Sequence, residues 1–337
     1  EKGLIPAKNY KDIDSIDQSS KNQLRTEIRQ ALNLFNELDQ RCSNHTQLKE
    51  SMANVLSEYL NKNFFGKTSL DMYFDSGSSV AYVARAVGSR IKKHTIRNNR
   101  DNHVPIRVYT NNALVFLHLW MKNNVPCNLF PIAPAEPPYG TTIGLLSNYG
   151  EEPVQELDYV NYSHTESELK NIKNLLDSYP HPEHGKVLII AGLSGIKMEQ
   201  DIECIVDEKG NFDNNADVDS SIKNYRGIHV NNYYNRLMSR ALIESNYPII
   251  YCLHATKIGY PITLGKCHFV FDGKEHWDNF VSNYPVAFCL GYESNEIEKV
   301  ESFIEIMRLE IIHSSKSMKY KTYILGNKPF VEWTKQL

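Results

Sequence analysis

Five consecutive residues, Asp75-Ser76-Gly77-Ser78-Ser79, hold the densest concentration of chemically useful groups in this chain. The apolar run from Leu70 predicts a strand ending at Asp75, and helical spacing of apolar residues begins near Ser79. A helix amino terminus leaves N–H groups unpaired and carries the positive end of the macrodipole, so this turn is suited to a phosphate or carboxylate group. Gly77 permits close backbone approach, and the hydroxyls of Ser76, Ser78 and Ser79 can donate to oxygens. Asp and Ser are also preferred helix caps, so a capped turn without a ligand stands beside the anion-binding reading. No G-K-[ST] and no G-x-G-x-x-G accompanies the turn, so it is neither a Walker loop nor a dinucleotide fingerprint.

Proton-transfer chemistry has three candidates, Asp75, Glu136 and His254. Glu136 lies in a proline-rich stretch, Pro134-Ala135-Glu136-Pro137-Pro138, and His254 follows an apolar strand-like run. A lone carboxylate without a partner is weak ground for general acid–base catalysis, which needs a group with a pKa near the working pH. Cys252 and His254 share a strand face by alternation, which leaves both a thiolate–imidazole pair and simple packing open. Gly192-Leu193-Ser194-Gly195 lacks the spacing of a hydrolase elbow. The stretch from Asp213 to Asp219 starts like a calcium loop, but Val218 and Asn224 stand where the loop requires Gly and Glu. The twelve histidines form no H-x-x-x-H or Cys/His cluster, so no structural metal and no cofactor is expected.

The elements that must position these groups alternate short apolar runs with helical runs, the sign of a mostly parallel sheet flanked by helices. Strands are predicted at 70–75, 106–110, 127–132, 186–191, 249–253, 267–271 and 286–290. Helices are predicted at 79–93, 112–123, 165–178, 233–245, 277–283 and 295–307, with one or two further strands over 310–325. A packing helix follows Ser43-Asn44-His45-Thr46, a turn and cap signal, with Leu48, Met52, Val55, Leu56, Tyr59 and Leu60 on its apolar side. Another such helix is predicted over 21–41. Two stretches, 134–153 and 197–227, read as inserted loops. The expected organisation is a leader and helix over 1–46 and an α/β domain over 47–337.

The order of D-S-G-S-S and helix, then Val108-Tyr109-Thr110-Asn111-Asn112 and helix, then Ile189–Ile196, and finally Leu253-His254-Ala255-Thr256-Lys257-Ile258-Gly259 resembles the ligand-sensing domain of DeoR-type sugar-metabolism regulators. That domain shares its α/β fold with ribose-5-phosphate isomerase, glucosamine-6-phosphate deaminase and the CoA transferases. The likeness covers about residues 47–290. It implies a phosphosugar or related phosphate ester, with Ser76, Gly77, Ser78 and Ser79 on the phosphate. Thr110 and Asn111 join the ligand-binding set on this resemblance, Asp75 and Asn111 meeting sugar hydroxyls or fixing the loops. Lys257 adds a positive charge at the same edge of the sheet. The chain departs from the family pattern at Tyr234 or Asn235, at Ser239 and at His254, and no winged-helix head precedes residue 47.

With 37 basic and 40 acidic residues in 337, the net charge is −3, without the basic surplus of a dedicated nucleic-acid binder. No apolar stretch approaches the ~20 residues needed to span a bilayer. The six dispersed cysteines, without a C-x-x-C pair, fit a reducing, cytoplasmic setting. The expected partner is a small phosphorylated metabolite, bound without turnover and without direct nucleic-acid or membrane contact. A homo-oligomer or protein partner stays open. Two alternatives remain: a divergent phosphosugar isomerase or deaminase, and a scaffold using Tyr139, Tyr149, Tyr159 and Tyr162 for protein contacts.

Overall fold

The computed structural model describes residues 43–97, 106–125, 127–129, 186–198, 205–206, 227–230, 233–259, 262–263, 268–271, 274–316 and 319–336. Glu136, the four loop tyrosines, and the predicted helices over 21–41 and 165–178 lie outside these residues.

The centre is an eight-stranded sheet. Its parallel body comprises β1 (Leu70–Phe74), β2 (Ile106–Thr110), β3 (Cys127–Leu129), β4 (Lys186–Gly192), β8 (Ile249–His254) and β11 (Val286–Glu293). A C-terminal hairpin, β12 (Glu310–Lys316) and β13 (Tyr320–Gly326), adds two antiparallel strands at one edge. The order is β12-β13-β11-β8-β4-β1-β2-β3. From β1 the chain runs outward through β2 to β3, then returns to place β4 on the other side of β1. The reversal makes the gap between the carboxyl ends of β1 and β4 a topological switch point, where open α/β sheets leave a crevice.

The central strands read as continuous apolar runs because both of their faces are covered. Alternation sorts them cleanly. Met72, Phe74, Val108, Leu188, Ile190, Ile250, Cys252, Ala287 and Cys289 face one core. Tyr73, Tyr109, Ile189, Ala191, Tyr251, Leu253, Phe288 and Leu290 face the other. Over the first face lie α1 (Thr46–Asn63) and α2 (Ser78–Arg97). The second face is covered by α4 (Tyr233–Glu244), α5 (Lys274–Asn283) and α6 (Ile297–Ile306), introduced here in chain order after the short α3 (Ala113–Phe116). A final helix, α7 (Lys328–Thr334), sets Phe330 into the first core.

The structure differs from the sequence expectations at five places. The helix expected over 112–123 is α3 followed by a π-helical turn, Leu117–Lys122. Here the Asn123 side chain donates to the His118 carbonyl at 2.7 Å, taking up an acceptor that the wider turn exposes. The strand expected at 267–271 is the two-residue β10 (His268–Phe269), which pairs with β7 (Gly227–Val230) and not with the main sheet. β7 pairs in turn with β5 (Gly195–Lys197), so the two ends of the expected 197–227 loop are joined side by side in a three-stranded sheet. A second small pairing joins β6 (Ile205–Val206) to β9 (Ile262–Thr263). At the start of α1, His45 occupies the cap position in a left-handed conformation (φ 56°) without a side-chain cap bond, while Thr46 Oγ1 donates back to the Ser43 carbonyl.

Candidate functional site

Asp75 emerges one residue beyond β1 on the face shared by Tyr73 and Tyr251. Its amide bonds the Ile190 carbonyl at 2.9 Å, which fixes the start of the turn to β4. Gly77 then adopts φ +113°, a region closed to side chains with a Cβ, and α2 opens at Ser78. Across the gap, Gly192 ends β4 so close that a Cβ there would stand 2.5 Å from the Ser76 carbonyl oxygen. The D-S-G turn and the end of β4 thus touch through backbone, at the switch point.

The first amide of α2 with a backbone acceptor is that of Ala81, bonded to Gly77 at 3.2 Å. Among the described residues, no group accepts from the amides of Ser78, Ser79 or Val80. These are the orphan donors of a helix start, and Ser76, Gly77 and Ser78 beside them are half-buried. Ser79 is buried. Ser76 Oγ reaches Asn235 Oδ1 at 3.4 Å, which brings the start of α4 to the turn.

The Thr110-Asn111-Asn112 segment holds this turn from the β2 side. Thr110 is fully buried, and its hydroxyl donates to the Phe74 carbonyl at 2.7 Å while accepting from the Asn112 amide at 3.0 Å. Asn112 is the clamp. Its Nδ2 donates to the Asp75 and Gly77 carbonyls, both at 3.2 Å, and its Oδ1 accepts from the Leu114 and Val115 amides, capping α3. The sequence expectation put the ligand-binding role on Thr110 and Asn111 and gave Asn112 none. An Asn-Asn pair carries no signal for which member turns inward.

Asn111 faces Asp75 instead. Burial of the Asp75 carboxyl, only 3% exposed, raises its pKa to about 7. Donation from the Ser76 amide, the Asn111 side chain and the Gly192 amide pulls in the opposite direction without cancelling it. Asp75 Oδ1 and Asn111 Oδ1 are both buried, with no hydrogen-bond partner among the described residues. Buried oxygens of that kind are rare and cost free energy unless something donates to them.

Lys257, at the end of the 3₁₀ turn Ala255–Lys257, donates from Nζ to the Leu193 carbonyl just beyond β4. Its ammonium, after burial, helps to lower the pKa of His229 to about 4 and that of His254 to about 2. His254 itself belongs to a different surface. It stacks on His45 with ring centroids 4.7 Å apart, and its Nδ1 pairs with Thr256 Oγ1. It projects to the α1 side with Cys252, away from the face of Asp75. Burial pushes the Cys252 thiol up to about 12, while His254 is driven the other way, so neither member is tuned for a thiolate–imidazolium pair. Glu136 lies outside the described residues. Among the described residues, no group of three or more His, Cys, Asp or Glu side chains could hold a metal ion, and no helix is long and apolar enough to cross a membrane.

No family model matches this chain, and no curated protein sequence matches it. Solved structures do. The chain is similar to ribose 5-phosphate isomerase A from Methanocaldococcus jannaschii at 8% identity and a TM-score of 0.31, over 87% of this chain and 86% of that one. It is similar to ribose 5-phosphate isomerase from Plasmodium falciparum at 9% identity and a TM-score of 0.28, over 82% and 78%. A further match is eIF2B beta from Chaetomium thermophilum, at 10% identity and a TM-score of 0.26, over 72% and 49%. At such scores the likeness assigns no residue a role.

Proposed function

We propose that this chain binds a phosphorylated small metabolite of the phosphosugar class in the turn between β1 and α2. The observation that carries this reading is the run of amides at Ser78, Ser79 and Val80 without an acceptor among the described residues, opening a twenty-residue helix at the switch point of the sheet. Hydroxyls of Ser76 and Ser78 stand beside those amides to share the oxyanion. Asn111 offers a buried acceptor for a ligand hydroxyl, and Asp75 sets a second buried oxygen beside it. Lys257 brings a cation to the neighbouring strand end. The DeoR-sensor resemblance of the D-S-G-S-S and T-N elements points the same way. Binding proceeds without direct DNA recognition by these residues, in keeping with the acidic balance of the chain.

Thermal-shift and calorimetric titration with a panel of phosphosugars and their unphosphorylated counterparts tests the reading. The expected outcome is saturable stabilisation by phosphate esters alone, weakened in Ser78→Ala. Indifference to every phosphate ester sinks it. A second reading, turnover by proton transfer, draws support from Asp75, whose pKa of about 7 suits acid–base work. Product formation from a bound phosphosugar, abolished in Asp75→Asn, would establish that reading.

A further inference from the structure

The position of Asp75 poses an electrostatic problem that the phosphate-binding reading does not resolve. Its carboxyl is 3% exposed, stands one residue before an oxyanion turn, and leaves Oδ1 without a donor among the described residues. A dianion seated on the Ser76–Ser79 turn would lie beside a buried carboxylate, and like charges in such a place are not both kept. The groups facing Asp75 offer little compensation. Tyr73 on β1 and Tyr251 on β8 are phenols whose burial, reinforced by the Asp75 charge, keeps them neutral. Asn111 beyond β2 is neutral, as are the Ser76 and Gly192 amides and Asn235 on α4. Lys257 turns its ammonium toward the Leu193 carbonyl.

Resting on the anion-turn reading above, we propose that Asp75 is a recognition group that works as the neutral acid, so that an oxyanion enters the turn together with one proton. The proton comes from solvent, resides on Oδ1, and is donated to an oxygen of the ligand. That single transfer removes the like-charge repulsion and gives the orphaned Oδ1 a hydrogen bond. The free carboxyl already sits near neutrality, so the cost of protonating it is small at pH 6 and grows as pH rises. The site therefore favours ligands that can accept a hydrogen bond beside the anchored oxyanion, and it weakens in alkaline solution.

Inorganic sulfate is the probe, because it stays a dianion from pH 6 to 8.5 and any pH dependence belongs to the protein. Isothermal titration of the full chain in two buffers of different ionisation enthalpy reads proton uptake directly, without a variant. The expected result is close to one proton taken up per sulfate above pH 7.5, and an affinity falling by roughly thirtyfold from pH 6 to 8.5. In Asp75→Asn, which donates at every pH, both effects should vanish while sulfate still binds. Saturable sulfate binding that is sensitive to Ser78→Ala but takes up no proton overturns the proton-linked role and leaves the anion turn standing. Failure of sulfate to bind at pH 6 removes the anion turn and, with it, this proposal.

Discussion

Burial raises the Asp75 pKa to about 7 from 3.8, and the sign of its effect on stability follows from linkage. Between those two values the folded chain holds a proton that the unfolded chain has released. The stabilisation this gives is complete below about pH 4 and is lost as pH rises through about 7. Its full size is roughly 4 kcal/mol by the free energy per pKa unit. His229, fully buried with neither ring nitrogen partnered among the described residues, acts in the opposite sense. Its pKa is lowered to about 4, so stability present above its ordinary value near 6.5 is lost as pH falls toward 4. Urea titrations of wild type and Asp75→Asn across pH 5–8.5 should therefore diverge, with wild type losing stability relative to the variant as pH rises. Parallel profiles would show that Asp75 ionises freely.

Asn112 supports a second prediction on the same scale. Its side chain satisfies two loop carbonyls and two amides of α3, all buried or partly so. Asn112→Ala should cost about 2–4 kcal/mol in a denaturant titration, since several groups are orphaned together. It should also weaken any phosphate ester more than Thr334→Ala, whose hydroxyl bonds Val331 at the far C-terminal helix.

At the scale of elements, the legible parts are those whose period is enforced by burial. β1, β2, β4, β8 and β11 stand within a few residues of where their apolar runs place them, because each strand is largely covered on both faces, and the charged pair that interrupts β1 and β2, Asp71 and Arg107, neutralises itself across the two strands. β5, β7 and β10 were invisible as a sheet. Two to four residues carry no periodicity, and their pairing joins segments more than thirty residues apart. The D-S-G-S-S turn was legible as a strand-to-helix junction. Its clamp, Asn112, and its close neighbour, Gly192, were not, because both act through backbone contacts across strands. Nor did sequence separate His254 from the Asp75 face, since alternation puts His254 with Cys252 but does not say which side of the sheet that shared face becomes.

The start of α7 depends on one residue of this hidden kind. Asn327 Oδ1 accepts from the Phe330 and Val286 amides, and Nδ2 donates to the Val281 and Tyr284 carbonyls. It thereby joins α7, β11 and the end of α5, with Pro329 in the first turn of α7 where the missing N–H is harmless. Asn327→Ala should destabilise by about 2–4 kcal/mol, combining a lost cap with orphaned groups. Asn327→Asp, which keeps the acceptor but not the donor, should cost less. Equal losses for the two would place the stability in the donor bonds alone.

For the whole molecule, the two cores lie on opposite faces of one sheet, and the Ser76–Ser79 turn sits at the sheet's end between them. Leu56 on α1 is fully buried in the first core, while the turn is tied to β4, β2 and α4. Leu56→Ala should leave a cavity and cost about 2–5 kcal/mol of global stability. The turn's own restraints, from Asn112, the Ile190 carbonyl and the Gly192 contact, are untouched by that change. Distant sites without shared partners add independently to within a few tenths of a kcal/mol. The dissociation constant of a phosphate ester should therefore stay within about twofold of wild type at temperatures where the variant remains folded. Calorimetric titration beside denaturant unfolding of the same protein checks both halves. A large loss of affinity in Leu56→Ala would mean that α1 and the turn form one cooperative unit, with the first core setting the geometry of the α2 amides.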